Sequence, residues 1–191
     1  HGWIDMSVRV ITNDDGAVTG LHQTWRMDPF YSLVVMEELQ QVPGTSLEQG
    51  LDQLGSEIRD NLTPQHYFTE VRIGDKPQTF GEVTEYTALE RDGRLTFMFI
   101  LPLTSPQPLS GQVLEYQVFD PTYYIEMVHE EEGDGPMLLD RAMKDAGVAS
   151  PGTRLRVLGF LMHTSLGGGP RAPREAWVAD NTDESAKVIA E

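Results

Sequence analysis

A chain that begins with histidine offers two nitrogen ligands to one metal ion. His1 supplies an imidazole and, where its α-amine is free, a second nitrogen one side chain away. This pair favours copper, and copper sites of the histidine-brace kind add a second imidazole. The candidates for that second imidazole are His22, His66, His129 and His163. The alternative interpretation is that His1 is a processing scar or a frayed end with no ligand role.

The sequence holds no other local metal motif. The histidines show none of the HxH, HxxxH or HExxH spacings that place two imidazoles on one ion. The acidic run 129–134 has the oxygen ligands that calcium and magnesium prefer, but it lacks the ligand spacing of a calcium loop, so a solvated charge run is the simpler interpretation. Because the chain has no cysteine, thiolate metal sites, disulfides and thiol catalysis are excluded.

Signatures of catalysis are equally scarce. There is no GxSxG nucleophile elbow and no phosphate loop with GK[ST], and the glycines 167–169 lack the strand-then-helix context of a dinucleotide site. We therefore predict a protein that is not an enzyme. A histidine-brace copper oxidase is the weaker catalytic alternative, because it requires a second imidazole beside His1.

Composition restricts the partners. The 191 residues include 30 acidic and 14 basic ones, and the net charge of −16 argues against nucleic acid and anionic membrane surfaces as partners. Cations are the favoured electrostatic partners. The longest apolar stretch, residues 95–101, is far shorter than the roughly 20 residues that span a bilayer, so we expect no membrane insertion. The start at His1 without an initiator methionine fits a removed signal peptide, and also a residual tag or a trimmed chain.

The first elements form a predicted hairpin. Polar and apolar residues alternate on both sides of the turn 13–16, which is typical of half-buried strands. Pairing residues whose numbers sum to 31 places large apolar side chains together on one face. The pairs are Val10 with Leu21, Met6 with Trp25 and Ile4 with Met27. This register also sets His1 beside Phe30 and Trp3 opposite Asp28.

Two helices are predicted after the hairpin. Asp28-Pro29 provides a capping carboxylate and a proline for a helix that runs over residues 30–41. Thr45/Ser46 with Glu48/Gln49 has the pattern of a capping box and opens the second helix. Its apolar stripe has the spacing of one buried face. The stripe consists of Leu47, Leu51, Leu54, Ile58 and Leu62.

The remainder is rich in strands. Period-two segments predict a meander over residues 67–73, 77–80, 82–90, 94–101, 112–119 and 122–129. Residues 135–147 are typical of a third helix, and residues 153–163 of a further strand. We predict an α+β fold that is antiparallel and β-rich and has two or three helices. Its strands would form a hairpin and a meander, and a sandwich is one arrangement that these strands could take. A core over 1–130 would carry a C-terminal extension over 131–191, with an acidic tail over 179–191.

Five segments in order resemble a known family. They are His1 with Ile4-Asp5, Trp25 with Asp28 and residues 30–32, residues 67–71, residues 92–96 with 101–103, and residues 120–124. Over about residues 1–126 the chain resembles bacterial periplasmic proteins of undefined function, usually labelled as a component of an uncharacterised ABC-type transport system. Their mature chains tend to start His-Pro-His after signal cleavage. The resemblance implies a periplasmic or secreted protein with His1 as its natural terminus, accessory to nickel, cobalt or zinc transport.

Two departures from the family pattern concern ligands. Gly2 and Trp3 stand where the family has proline and the second histidine, so one metal ligand is missing. Family members can also carry a calcium-loop-like stretch between the two helices. Residues 40–45 of this chain have no acidic ligand there.

Two functions follow as predictions from different classes. The leading one is a metal-handling protein that binds copper, zinc or nickel through the amine and imidazole of His1, supported by Asp28, Asp120 or Asp5, and serves a membrane metal transporter. The other is a metal-free interaction module, which docks a protein partner through exposed aromatic side chains. These aromatic residues are Trp3, Tyr31, Tyr123 and Tyr124.

Overall fold

The computed structural model describes residues 2–108, 112–129, 153–159, 174–181 and 187–189, and it has the predicted α+β class. The helical elements are α1 (Pro29–Gln40), α2 (Leu47–Leu62) and a short 3₁₀-helix (Thr63–Phe68). The first eight strands are β1 (Gly2–Thr12), β2 (Ala17–Met27), β3 (Thr69–Ile73), β4 (Lys76–Pro77), β5 (Tyr86–Arg91), β6 (Arg94–Pro108), β7 (Val113–Val118) and β8 (Ile125–His129). The last three are β9 (Thr153–Gly159), β10 (Arg174–Asn181) and β11 (Lys187–Ile189).

The hairpin of β1 and β2 has the register that the alternation predicts. Met6 pairs with Trp25, and the neighbouring pairs follow the same sum of 31 from Ile4 to Ile11. The inward-facing residues of both strands are buried. Register is specified here because a shift by one residue would turn every apolar side chain of a strand to the opposite face.

The later strands divide between two sheets, and only some of them pair with the next strand in the chain as in a meander. One sheet has the order β5-β6-β2-β1-β8, and the other has β11-β10-β9-β7-β3-β4. Strand β8 lies parallel to β1, with Gly2 aligned to Ile125. Alternation in the sequence reports which face of a strand is buried but not which strand lies beside it, so the pairing differs from the simplest local arrangement.

Both sheets contribute to one apolar core. The Gln23 side chain of β2 donates from Nε2 to Thr69 Oγ1 of β3 at 3.0 Å, and Trp25 stacks parallel to Phe68 with ring centroids 6.2 Å apart. The ring of Tyr67 also lies 4.9 Å from that of Phe99. These contacts join the hairpin sheet to the second sheet directly.

The helices begin at the predicted caps. Asp28 caps α1, and Ser46 with Gln49 forms the capping box of α2. The stripe of α2 is buried or half-buried, as its spacing predicts. Helix α1 is different, because only Ser32 and Met36 are buried and most of its apolar residues face outward. No helix among the described residues is long and apolar enough to cross a membrane.

Several sequence predictions concern residues outside the described ones. These are the third helix over 135–147, the acidic residues 130–134, the glycines 167–169 and the last part of the strand 153–163. Within the acidic tail 179–191, residues 179–181 belong to β10 and β11 pairs with it in antiparallel fashion.

Candidate functional site

A groove of about 780 Å³ opens where β1 begins, between α1, the end of α2 and the start of β8. Its lining is almost entirely apolar and aromatic. Apart from the tyrosine hydroxyls, Asp28 and Asn61 are the polar side chains among the lining residues. Ligand sites are typically concave and apolar with a few placed polar groups, and this volume lies within their usual range.

Three of the four aromatic residues predicted as a partner surface meet at this groove. Trp3 is 42% exposed, Tyr31 46% and Tyr124 63%, and all three line it. Tyr123 is exposed as well but does not line the groove. The name aromatic groove is used below for this cavity.

Asp28 lies at the junction of β2 and α1 and fixes one wall. Its amide donates to Trp3 O at 3.1 Å, and its Oδ1 accepts from the Tyr31 amide at 2.8 Å. Its Oδ2 faces the backbone of Gly2, since a Cβ built on Gly2 would lie only 2.8 Å from that oxygen. Glycine therefore allows the first strand to approach the capping carboxylate closely.

Asp120 positions the opposite wall. Its Oδ1 accepts from the amide and hydroxyl of Thr122 at 2.8 and 2.6 Å, and its Oδ2 accepts from the amides of Tyr124 and Ile125 at 3.2 and 3.0 Å. The residue is 2% exposed. These bonds hold the turn that presents Tyr124 and that sets Ile125 beside Gly2. Asp120 is thus engaged by its own loop.

Phe68 reaches the groove from a strained segment. His66, Tyr67 and Phe68 have φ angles of 51°, 54° and 53°, a left-handed conformation that costs non-glycine residues about 1 kcal/mol or more each. The Tyr67 hydroxyl donates to Arg59 O at 3.1 Å, which ties the segment to α2. Strain of this kind clusters at binding and catalytic sites.

Asp5 and His22 lie on the outer face of the hairpin sheet. The Asp5 carboxylate forms an ion pair of 2.7 Å with Arg94, whose Nε also donates to Met27 O at 2.7 Å. His22 pairs with Arg9 in the hairpin, four positions along β1 from Asp5. Burial, and to a smaller degree the charge of Arg9, lowers the pKa of His22. The register thus separates His22 from Asp5.

The four predicted metal ligands are not all testable in this structure. His1 lies outside the described residues. Asp5, Asp28 and Asp120 each accept bonds from protein groups, and within the part of the chain that the structure describes no three metal-binding side chains lie close enough to hold one ion. The ligand set therefore stays a prediction.

Two carboxylates lie close to the Tyr31 hydroxyl at the aromatic groove. Burial raises the pKa of the Tyr31 hydroxyl, and the nearby carboxylates of Glu38 and Asp28 raise it further. Within the part of the chain that the structure describes, no lysine or arginine lines the groove. A ligand that carries positive charge would therefore meet a favourable field.

Sequence reasoning missed the groove residues contributed by distant elements. Ile58 and Leu62 were predicted as part of a packing stripe, and both line the groove. Phe68 carried no sequence signal of a site. A usable signal was present in α1, whose apolar residues surround the helix and cannot all be buried against one core.

Comparisons with known proteins place this chain among uncharacterised relatives. It is 24% identical over 137 residues to an uncharacterized protein of Haemophilus influenzae, covering 68% of this chain and 62% of that protein. It is 33% identical over 78 residues to an uncharacterized 15.5 kDa protein from the trpE 3' region of Spirochaeta aurantia, covering 39% of this chain and 52% of that protein. The chain thus spans between half and two thirds of these relatives.

No solved structure matches the chain. One family matches residues 1–146 of the 191, which include the hairpin, both α-helices and every residue of the aromatic groove. The chain therefore belongs to the family described as "Protein of unknown function (DUF1007)".

Proposed function

We propose that this protein is a periplasmic or secreted protein-interaction module, without enzymatic activity, whose binding site is the aromatic groove. The observation that carries the proposal is the meeting of Trp3, Tyr31 and Tyr124, all more than 40% exposed, around one cavity of about 780 Å³. Tryptophan and tyrosine are enriched at interface hot spots, where a few side chains supply most of the binding energy.

The exposed face of α1 extends this surface beyond the groove. Phe30 is 75% exposed and Leu33 55%, and Leu33 is not among the groove's lining residues. Exposed apolar surface that continues past a cavity is typical of sites that bind a polypeptide. A ligand confined to the groove would leave Leu33 uncovered.

The test is selection of short peptides from a random displayed library, with binding measured by fluorescence anisotropy in the presence of a chelator. We expect Trp3→Ala and Tyr124→Ala each to weaken binding of the selected peptides by about tenfold or more, because each removes a large contact at the centre of the site. Both side chains are substantially exposed, so both variants should keep the wild-type circular dichroism and melting temperature.

Val42→Ala is the matched control. Val42 is exposed by 47% and lies outside the groove, so its truncation should leave the affinity unchanged. Selected peptides that bind wild type and both groove variants equally would contradict the proposal, and so would a library that yields no binder.

Metal handling is the second candidate function, accessory to a membrane metal transporter such as an ABC-type system. The specific support is the position of Asp28, whose Oδ2 faces Gly2, the residue bonded to His1. We expect this carboxylate to add an oxygen ligand to a cation that the amine and imidazole of His1 chelate. Copper suits the nitrogen ligands best, whereas zinc or nickel suits the transport role.

Calorimetric titration of Cu²⁺, Zn²⁺ and Ni²⁺ tests this candidate, on protein whose mass establishes a free His1 amine. We expect one ion to bind per chain and His1→Ala to weaken its affinity more than tenfold, since the imidazole is lost and the α-amine that remains can no longer form a chelate with it. Val42→Ala is the control, because Val42 is exposed, carries no metal-binding group and does not line the groove beside Gly2 and Asp28. Equal affinity in wild type and His1→Ala would rule out this site.

A further inference from the structure

We propose that the occupant of the aromatic groove is a basic polypeptide segment, whose lysine or arginine side chain lies against Asp28 while apolar neighbours fill the groove. This inference rests on the proposed interaction function and specifies the chemistry of the partner. It is carried by the charge and the shape of the groove.

The first step concerns the carboxylate in an apolar lining. Asp28 is 7% exposed, and none of the described residues that line the groove beside it is a lysine or an arginine. An uncharged apolar ligand would remove the remaining water from this carboxylate without replacing it, which is costly. A cationic group would replace that water with an ion pair.

The second step is the sign of the field. The N-terminus of α1 contributes a partial positive charge of about half a unit, which the full negative charge of Asp28 exceeds. Glu38, on the same helix, adds negative charge near Tyr31. The whole chain carries −16, so long-range attraction and the local field favour the same cationic partner.

The aromatic walls also suit a cation. Trp3, Tyr31 and Tyr124 are the residue types whose ring faces attract ammonium and guanidinium groups. Their apolar bodies can in turn pack against the methylene groups of a lysine or arginine. Aromatic walls with one carboxylate thus recognise a long basic side chain by its methylene groups and by its charged end.

A polypeptide fits better than a small organic cation. The apolar surface continues from the groove along α1 to Leu33, which a small cation bound at Asp28 would leave exposed. A peptide can place its basic residue at Asp28 and an apolar neighbour on α1. The exposed residues of α1 then become part of one continuous interface.

The experiment combines a change in the protein with a change in the ligand. The probes are a groove-binding peptide that carries one arginine and the same peptide with citrulline, which removes the charge but keeps the shape. The protein variants are Asp28→Asn and, as a control with the same change in charge, Glu48→Gln. Asparagine caps helices as well as aspartate does, so Asp28→Asn should retain α1. Glu48 lies in the first turn of α2, about 20 Å along the helix from Asn61.

We expect citrulline to weaken binding to wild type about tenfold, and Asp28→Asn to weaken binding of the arginine peptide by a similar factor. The combination should cost little more than either change alone, because both remove the same ion pair. Glu48→Gln should change the affinity less than twofold.

The failure of the basic-partner inference and the failure of the interaction function would give different results. Binding that depends on Trp3 and Tyr124 but is indifferent to citrulline and to Asp28→Asn would overturn the basic partner and leave the interaction function intact. Tighter binding of acidic peptides in that groove would overturn it equally. Binding that is independent of Trp3 and Tyr124 would overturn the interaction function itself. A small alkylammonium ion that competes fully with the arginine peptide, at equal affinity, would show that the polypeptide contacts on α1 contribute nothing.

Discussion

Replacing Asp120 by alanine is expected to lower the free energy of unfolding by about 3–4 kcal/mol. The buried carboxylate accepts four hydrogen bonds, from the amides of Thr122, Tyr124 and Ile125 and from the Thr122 hydroxyl. Alanine would leave these donors without their acceptor in a site that excludes most water, because Asp120 is 2% exposed. Urea denaturation followed by tryptophan fluorescence measures the loss.

Two conservative variants separate the contributions at Asp120. Thr122→Val removes one hydroxyl donor and should cost about 1 kcal/mol, because the three amides keep their acceptor. Asp120→Asn replaces one acceptor oxygen by a donor and should fall between Thr122→Val and Asp120→Ala. A loss below 1 kcal/mol for Asp120→Ala would contradict the structural role assigned to this carboxylate.

Replacing Gln23 by leucine is expected to cost about 3 kcal/mol, although leucine is similar in size and more apolar. Gln23 is fully buried, accepts from Trp25 Nε1 at 2.9 Å and donates to Thr69 Oγ1 at 3.0 Å. Leucine would leave the indole N–H of Trp25, itself 1% exposed, without an acceptor in the core. It would also remove a polar bond that joins the two sheets.

A double-mutant cycle with Trp25→Phe isolates this bond. In the phenylalanine background the indole N–H is absent, so Gln23→Leu should cost about 1–2 kcal/mol less than in wild type. Urea denaturation of the four proteins gives the coupling energy. Additive costs within about 0.5 kcal/mol would mean that the Gln23–Trp25 bond contributes nothing to stability.

Local features were predictable because nearby residues specify them. The hairpin register follows from apolar side chains that must share one face, and Asp28 and Ser46 define helix starts through bonds within three residues. Each of these signals is complete within a short segment. The local structures that these signals specify do not depend on the rest of the chain.

Long-range features were not predictable in the same way. Nothing near residue 125 indicates that β8 will lie parallel to β1, since the partner strand is more than a hundred residues away. Asp120 was predicted as a supporting ligand for a metal ion bound at His1. The four donors that engage it come from the turn that follows, all within five residues, so this arrangement is local and depends on no distant strand.

The candidate site was predictable in part. Trp3, Tyr31 and Tyr124 were identified as exposed aromatics, and the structure brings them to one groove. The contributions of Leu62 and Phe68 depend on how α2 and the left-handed segment are placed, which alternation and helix spacing do not encode. Residue type thus indicated the three exposed aromatic side chains, whereas the contributions of Leu62 and Phe68 could be identified only from the fold.

The place of β1 in its sheet has a consequence for biogenesis. Strand β1 pairs on one side, from Ile4 onward, with β2, which follows at once, and on the other side, from Gly2 to Met6, with β8, which is synthesised more than a hundred residues later. Until β8 is synthesised, β1 carries an open strand edge, the kind of edge that recruits strands from other chains. This edge is covered only when the chain as far as residue 129 is available to close the sheet.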